Sequence, residues 1–477
     1  MRPPLPAGFG FRLDPTTRVE RDGRTLWGGT NSRLVRLTGD GARELALAQG
    51  GQPLGINGRR LGRRLVAAGL AYPLPPRPAD DSGVTVVIPV RDRASELDRC
   101  LAAVGPGAVI VVDDGSLDPQ RVRAVCNGHG ARLIQRPSNS GPAAARNAGV
   151  AAVTTPIVAF LDSDCVPPAG WIAALVGHLQ DPLVCAVAPG IQPLPSDASA
   201  ARPSATERYL DRRCPLVLGE RPAEVRPLSP VPYVPTAALL VRRSALGEGF
   251  DESMRTGEDV DLIWRLRDAG HIVRYDPSVV VHHAEPVTWR DVLARRFRYG
   301  TSAGPLARRH PGCLPPVLAP PLPILIVLAA LLGHFVVATA VAAGGTAVLA
   351  WKLQRRTVPA WRAPGLVLES VYRVCRDALQ WAVMLFSPLL LFAIATSSHR
   401  WAVAALSVAP YLIEWFERRP RLDPLRWIGA RIVDDVAYGA GVWTGCLRSR
   451  SLEPLLPRIS WAGLRRSTRH RLRDPLP

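Results

Sequence analysis

Two aspartates one residue apart, Asp162 and Asp164, have the spacing to share a hard divalent cation. Mg²⁺ and Mn²⁺ both accept oxygen ligands from protein and phosphate together. Such an ion neutralises charge that builds on a departing diphosphate, which a neutral side chain does not do. Asp113 and Asp114, in Asp113-Asp114-Gly115-Ser116, offer carboxylates to a base N–H or a ribose hydroxyl. Thr256-Gly257-Glu258-Asp259-Val260-Asp261 opens a helix, and Asp259 is the candidate general base for an attacking hydroxyl. Arg146 is placed to meet a diphosphate, as are Arg295 and Arg298, and either His282 or His283 offers a further metal ligand. Each group alone also has an ordinary explanation: a turn, a helix-end charge, a polar strand end, or an arginine for lipid headgroups. The ordered set points to chemistry on a phosphorylated substrate.

Short apolar strands alternating with helical patterns must position these groups. Val84 to Val90 is a β-branched run broken by Pro89, and Val109 to Val112 is a second run that ends on Asp113. Pro142 suits the first position of a helix that carries Arg146 in its early turns. Pro156 to Leu161 reads as a strand delivering Asp162, and Val279 to His283 as another. Thr256 suits the cap of the next helix, with Val260, Ile263 and Trp264 on one face and Gly270 at its end. The alternation predicts an α/β domain on a mainly parallel sheet, whose ligands bind beyond the carboxyl ends of the strands.

The chain of 477 residues carries a formal charge of +19, nearly all of it arginine, with Lys352 the one lysine. Coding bias accounts for much of that usage, and anionic partners are the physical implication. Eight cysteines stand singly without a CxxC, so neither a zinc knuckle nor a disulfide framework is indicated. Met1 to Gly10 has no apolar core of a secretory signal, which favours a reducing, cytosolic setting for the soluble part.

Composition divides the chain into a small basic unit over 9–72, a proline-rich linker over 73–83, the α/β domain over 84–310, and an apolar zone over 314–477. Val317 to Trp351 lacks charged residues apart from the titratable His334, and its length fits two tight helices turning near Gly333. Ala378 to Ser397 is a third uncharged stretch, and Trp401 to Phe416, which contains Glu414, a fourth. Basic residues Lys352, Arg355 and Arg356, then Arg418, Arg419 and Arg421, flank these stretches. By the positive-inside rule, four spans leave the α/β domain and the basic tail in the cytoplasm of a multi-pass membrane protein in contact with lipid.

In this order, Val86-Val87-Ile88-Pro89-Val90-Arg91-Asp92-Arg93, Val111-Val112-Asp113-Asp114-Gly115-Ser116, Gly141-x4-Arg146-Asn147-x-Gly149, Asp162-Ser163-Asp164 and Gly257-Glu258-Asp259-Val260-Asp261 resemble the family 2 glycosyltransferases. The resemblance spans about Val84 to Gly300. It implies a GT-A fold, a nucleotide-sugar donor, a divalent metal (Mg²⁺ or Mn²⁺) and inversion at the anomeric carbon. By motif position, Pro89, Arg91 and Asp114 hold the nucleobase, and Asp162 and Asp164 hold ribose, metal and diphosphate. Asp259 becomes the base, and His283 or His282 the metal histidine. The Gln-x-x-Arg-Trp signature of processive synthases is absent; Arg295-Arg296-Phe297-Arg298-Tyr299 stands near its place.

Leu26-Trp27-Gly28-Gly29-Thr30-Asn31-Ser32-Arg33-Leu34-Val35-Arg36-Leu37, followed by Leu61 to Leu70, looks like a small winged-helix, PqqD-like peptide-recognition unit. Leu61, Leu65 and Ala68 give its last helix an apolar face closed by Gly69. This combination is similar to the transferases of mycofactocin systems. That similarity implies stepwise β-1,4-glucosylation, with UDP-glucose as donor and premycofactocin, or its peptide precursor, as acceptor. Two other readings compete. A lipid-linked or cell-envelope glycan is an alternative acceptor. A DNA-binding membrane regulator is the non-enzymatic alternative, but the carboxylate series would repel a duplex, so no nucleic-acid partner is expected.

Overall fold

The computed structural model describes residues 2–30, 33–76, 79–195, 203–355 and 358–459. The basic C-terminal tail over 460–477, Arg356, residues 77–78 of the linker, and Asn31 and Ser32 of the N-terminal motif lie outside the described residues. The chain forms two compact units: one runs up to Val292 and includes Pro420–Leu422, and the other holds the remainder from Leu293 onward.

The first unit begins with β1 (Gly10–Leu13), β2 (Arg18–Val19), β3 (Thr25–Gly28), β4 (Arg33–Arg36), α1 (Gly39–Gln49), α2 (Ile56–Ala68) and β5 (Ala71–Leu74). β2, β3 and β4 form an antiparallel sheet, and β1 pairs antiparallel with β5. Leu61 and Leu65 of α2 face a core with Leu5, Phe11 and Leu26, and Gly69 ends the helix in the left-handed conformation at φ +76°. Arg63, also on α2, points elsewhere. Its two terminal nitrogens lie 2.6 and 2.9 Å from the carboxylate of Asp181, with both side chains buried. Removing one partner of a buried pair strands the other charge, so Arg63→Met should cost about 3–5 kcal/mol. Urea unfolding of the full chain checks this, and a loss below ~1 kcal/mol would exclude an anchoring role for the pair.

Beyond the linker come β6 (Val84–Val90), α3 (Ala94–Val104), β7 (Ala108–Asp113), α4 (Pro119–Gly128), β8 (Arg132–Gln135), α5 (Pro142–Ala151), β9 (Ile157–Leu161) and β10 (Cys165–Val166). α6 (Trp171–Val176), β11 (Val184–Pro193), α7 (Ala205–Arg213), β12 (Ala223–Glu224), β13 (Ala238–Arg242), α8 (Glu258–Asp268) and β14 (Ile272–His283) complete the domain. The sheet has the order β10-β14-β11-β13-β9-β6-β7-β8, with β12 on β14. β8, β7, β6 and β9 run parallel, as the alternating pattern predicts. β13 runs antiparallel to both β9 and β11, so the sheet is mixed rather than mainly parallel throughout. β6, β9 and most of β7 are buried on both faces, which explains their unbroken apolar runs, whereas the edge strand β8 is half-exposed.

The second unit takes up α9 (Trp289–Thr301) from its second turn, then α10 (Ala303–Arg309), β15 (Leu318–Ala319), α11 (Pro321–Leu331), α12 (Phe335–Gln354), α13 (Ala363–Thr396), α14 (Arg400–Arg418), α15 (Pro424–Ser449) and β16 (Arg458–Ile459). α11 and α12 turn at Leu332-Gly333, where Gly333 takes φ +78°. Among the described residues two helical segments, Phe335–Gln354 and Ala360–Thr396, are long and apolar enough to cross a membrane. Of the four expected spans, these correspond to the second and third; α11 is an apolar helix of 11 residues, and α14 has 19 residues with Glu414 and Glu417 in its second half. Pro388 inside α13 cannot donate to the Met384 carbonyl, and the helix bends at Phe386. The freed carbonyl lies against Gly439 of α15, where any Cβ would sit 1.7 Å from its oxygen.

Candidate active site

Parallel pairing of β9, β6 and β7 brings the segments after their carboxyl ends to one edge of the sheet. β6 ends with Pro89, half-buried, and Val90, and the segment after it carries the exposed Arg91 and Asp92. Asp92 adopts φ +56°, a conformation aspartate tolerates, and ties this loop to the next one. Its backbone N–H donates to Ser116 Oγ at 2.9 Å and its carboxylate accepts from the Leu117 N–H at 2.6 Å.

Asp113 and Asp114 are both buried. Asp113 accepts from the Ser116 N–H at 3.0 Å and so folds its own turn. Asp114 accepts from the Ser140 and Gly141 N–H groups at 3.1 and 2.7 Å, which fixes the entry to α5. Gly115 is required directly after them: at φ +72° a Cβ would meet the Asn139 backbone at 2.7 Å. In this structure both carboxylates are committed to backbone donors.

α5 then delivers Arg146, only 4% exposed, between two carboxylates. One terminal nitrogen lies 2.7 Å from Asp162 Oδ1 and the other 2.9 Å from Glu258 Oε1. Burial opposes the guanidinium charge, but Asp162 and Glu258 outweigh it and push the pKa up. Arg146, expected to be open to a diphosphate, instead clasps the end of β9 to the start of α8.

Asp164 is buried and meets Arg93 on one oxygen. His283 Nε2 lies 3.4 Å from its other oxygen. β14 pairs antiparallel with β10 so that His283 stands opposite Cys165, next to Asp164. His282 projects to the other face, with Nδ1 3.2 Å from the Pro193 carbonyl, so His283 is the histidine beside the aspartate. Glu285 lies 3.0 Å from His283 Nδ1 and also accepts from the Cys214 thiol at 3.1 Å. Burial pulls the His283 pKa down, but Glu285 and Asp164 together move it above the usual imidazole value. Asp162, Asp164 and His283 are not gathered as a set of three: among the described residues no three His, Cys, Asp or Glu side chains form a ready ligand cluster. Asp162 turns to Arg146 instead.

Asp259 is the second residue of α8. The helix is capped by Gly257 at φ +84° rather than by Thr256, which makes no side-chain capping bond. Val260, Ile263 and Trp264 are buried on the face that their spacing predicts. Asp259 itself is only partly covered, and its Oδ1 accepts from the Val260 N–H at 2.8 Å. Thin hydration and then the Glu258 charge raise its pKa to about 7, against the pull of the Val260 N–H and Arg146. A carboxylate poised near neutrality suits a general base. Arg295 and Arg298 stand on α9 within the second unit, the first buried and the second exposed.

The sequence motifs flagged most of these positions but assigned no role to Arg93, Glu258 or Glu285. Glu258 is adjacent to Asp259 in the same motif, whereas no spacing rule pairs Glu285 with His283 or Arg93 with Asp164.

The family described as "Glycosyl transferase family 2" matches residues 85–250. Pre-mycofactocin glycosyltransferase of Mycobacterium tuberculosis (strain ATCC 25618 / H37Rv) is 39% identical, over 95% of this chain and 98% of its own length. Glycosyltransferase AglE of Haloferax volcanii is 28% identical, over 46% of this chain and 71% of its own. Among solved structures, mannosyltransferase PcManGT from Pyrobaculum calidifontis, in complex with GDP-Man and Mn²⁺, is 20% identical with a TM-score of 0.44, covering 78% of this chain and 89% of that one.

Proposed function

The chain belongs to glycosyl transferase family 2 and is a glycosyltransferase, and from that premise we propose that it glucosylates pre-mycofactocin from UDP-glucose by single inverting displacement. The observation that carries the mechanism is the clasp at Arg146, which draws Asp162, Glu258 and the neighbouring Asp259 to one sheet edge. Asp259, partly open and held near pH 7, takes the proton from the acceptor hydroxyl as that oxygen attacks the anomeric carbon. Inversion follows when the diphosphate leaves from the opposite side. The acceptor is supported by the similarity, nearly end to end, to the pre-mycofactocin glycosyltransferase of Mycobacterium tuberculosis.

Asp164 and His283 fit a divalent cation, Mg²⁺ or Mn²⁺. An oxygen and an imidazole nitrogen face each other, and Glu285 fixes the far nitrogen of the ring. Bound there, the ion stabilises charge on the leaving diphosphate. Asp162 holds the ribose and the nucleotide side of that group, with Pro89, Arg91 and Asp114 toward the base. Glu285→Ala should weaken Mn²⁺ binding roughly 10–100-fold, because the imidazole loses its orienting partner. Titration calorimetry of the full chain in detergent measures this; unchanged affinity would remove His283 from the ligand set.

The N-terminal unit serves as the PqqD-like recognition module for the acceptor. The two long apolar segments hold the enzyme in the cell membrane as part of a multi-pass region, with the catalytic domain in the cytoplasm. Incubating the purified chain with UDP-glucose and pre-mycofactocin, then weighing the product, tests the proposal. Successive additions of one hexose mass are expected. Transfer from another nucleotide sugar only, or label entering lipid only, would overturn the donor or the acceptor respectively.

A further inference from the structure

Within the first unit, the N-terminal strands and the outer strands of the large sheet enclose a cavity of about 480 Å³. That size is ordinary for a small-ligand site. Arg274, on β14, lines it and is only 4% exposed, yet its Nε and Nη2 atoms reach no acceptor. His178 Nδ1, in the same lining, is unpaired as well.

The surrounding carboxylates already have partners. Glu224 accepts from Arg226 Nε through Oε1 at 2.9 Å, while its Oε2, 2.7 Å from another Arg226 nitrogen, makes no hydrogen bond to Arg274 or any other donor among the described residues, and Asp181 is held by Arg63. Asp276 lies 2.9 Å from His178 Nε2, and Asp14 accepts from Thr16 and Thr30. Glu220 is exposed. A buried guanidinium without an acceptor is costly to keep in a fold, because its desolvation is not offset by any hydrogen bond. Burial accordingly pulls the Arg274 pKa down to about 10, with Glu224 and Asp181 opposing only in part. Tyr72, Leu74, Pro222 and Tyr275 add apolar wall around the arginine.

We infer that this cavity is a second ligand site, in which Arg274 binds the carboxylate or phosphate of a small molecule or peptide end whose apolar body rests on the tyrosine-lined wall. The planar guanidinium matches either oxyanion with two parallel hydrogen bonds. The site is separate from the carboxylate clasp and does not rest on the proposed sugar, acceptor or metal.

Thermal unfolding of the full chain in detergent tests it, with N-acetylphenylalanine, its C-terminal amide and inorganic phosphate as probes. Saturable stabilisation of about 2–4 °C is expected from the acid, from phosphate, or from both, and none from the amide. The acid and phosphate arms distinguish a carboxylate source from a phosphate source. The shift should persist in Asp164→Ala, which separates this cavity from the catalytic edge, and vanish in Arg274→Met. Should Arg274→Met fail to fold, Ala223→Trp fills the cavity while keeping the arginine and should abolish the shift. No saturable shift from any probe, an equal shift from the amide, or a full response in Arg274→Met would overturn the assignment.

Discussion

Asp259→Asn is expected to lower sugar transfer roughly 10²–10⁴-fold, the usual contribution of a positioned proton acceptor. The substitution is nearly isosteric and keeps an oxygen to accept from the Val260 N–H, so the start of α8 has no reason to unwind. Donor affinity should hold, because the side chain acts on the acceptor oxygen. The working form is the carboxylate, so wild-type transfer should climb with pH and level off above about 7. The stability linkage runs the opposite way. A carboxyl whose folded pKa is raised from 3.8 to about 7 binds its proton more tightly in the native state. Its contribution to stability is full below pH 3.8 and is lost as pH rises toward 7. Asp259→Asn removes that dependence, so its unfolding free energy should fall less across that window. Initial rates and urea unfolding at matched pH values measure both effects. Near-normal turnover in the variant would remove Asp259 from the base role.

The catalytic motifs were legible because the α/β pattern converts sequence position into spatial position. A β-branched run that ends in Asp113 or Asp162 places its carboxylate beyond a strand end wherever the strand lies in a parallel sheet. Pattern cannot tell which carboxylates remain free. Arg146, which its motif places to meet a diphosphate, is held by Asp162 and Glu258, and Asp114, proposed to face the base, also accepts from the Ser140 and Gly141 N–H groups. The choice between His282 and His283 needed the β10–β14 register, since adjacent strand residues face opposite ways.

The second unit leaves weaker marks in its sequence. α15 escaped notice because Arg431, Asp434 and Asp435 interrupt its apolar run. In the fold these charges are buried, and Arg431 reaches Glu414 of α14 at 2.8 Å and Asp435 at 2.9 Å. That network also explains how Glu414 is tolerated in a helix whose sequence reads as a span. A hydropathy window counts such residues as exposed cost, whereas the packed helices pair them. β13 was missed as an antiparallel strand because strand direction leaves no mark on an apolar run.

Arg146→Met carries the second large expectation. The methionine keeps much of the side-chain volume but withdraws the charge shared by Asp162 and Glu258, leaving two carboxylates close together at a sparsely hydrated edge. Breaking a buried ion pair typically costs about 3–5 kcal/mol, and here one cation serves both acids. Arg146 also opposes protonation of Asp259 through its field, so its loss should move the pH midpoint of transfer upward from about 7. At a fixed neutral pH the variant therefore loses rate beyond what instability explains, and part of that rate should return at higher pH. Arg146→Lys discriminates between charge and geometry. It keeps the charge, so the pH midpoint should stay near the wild-type value. Its compact ammonium cannot span two carboxylates as a planar fork does, so stability should recover only in part. A pH–rate series with parallel urea unfolding of both variants separates the two effects. A midpoint that does not move in Arg146→Met, together with a stability loss below ~1 kcal/mol, would show that the clasp neither tunes the base nor holds the edge together.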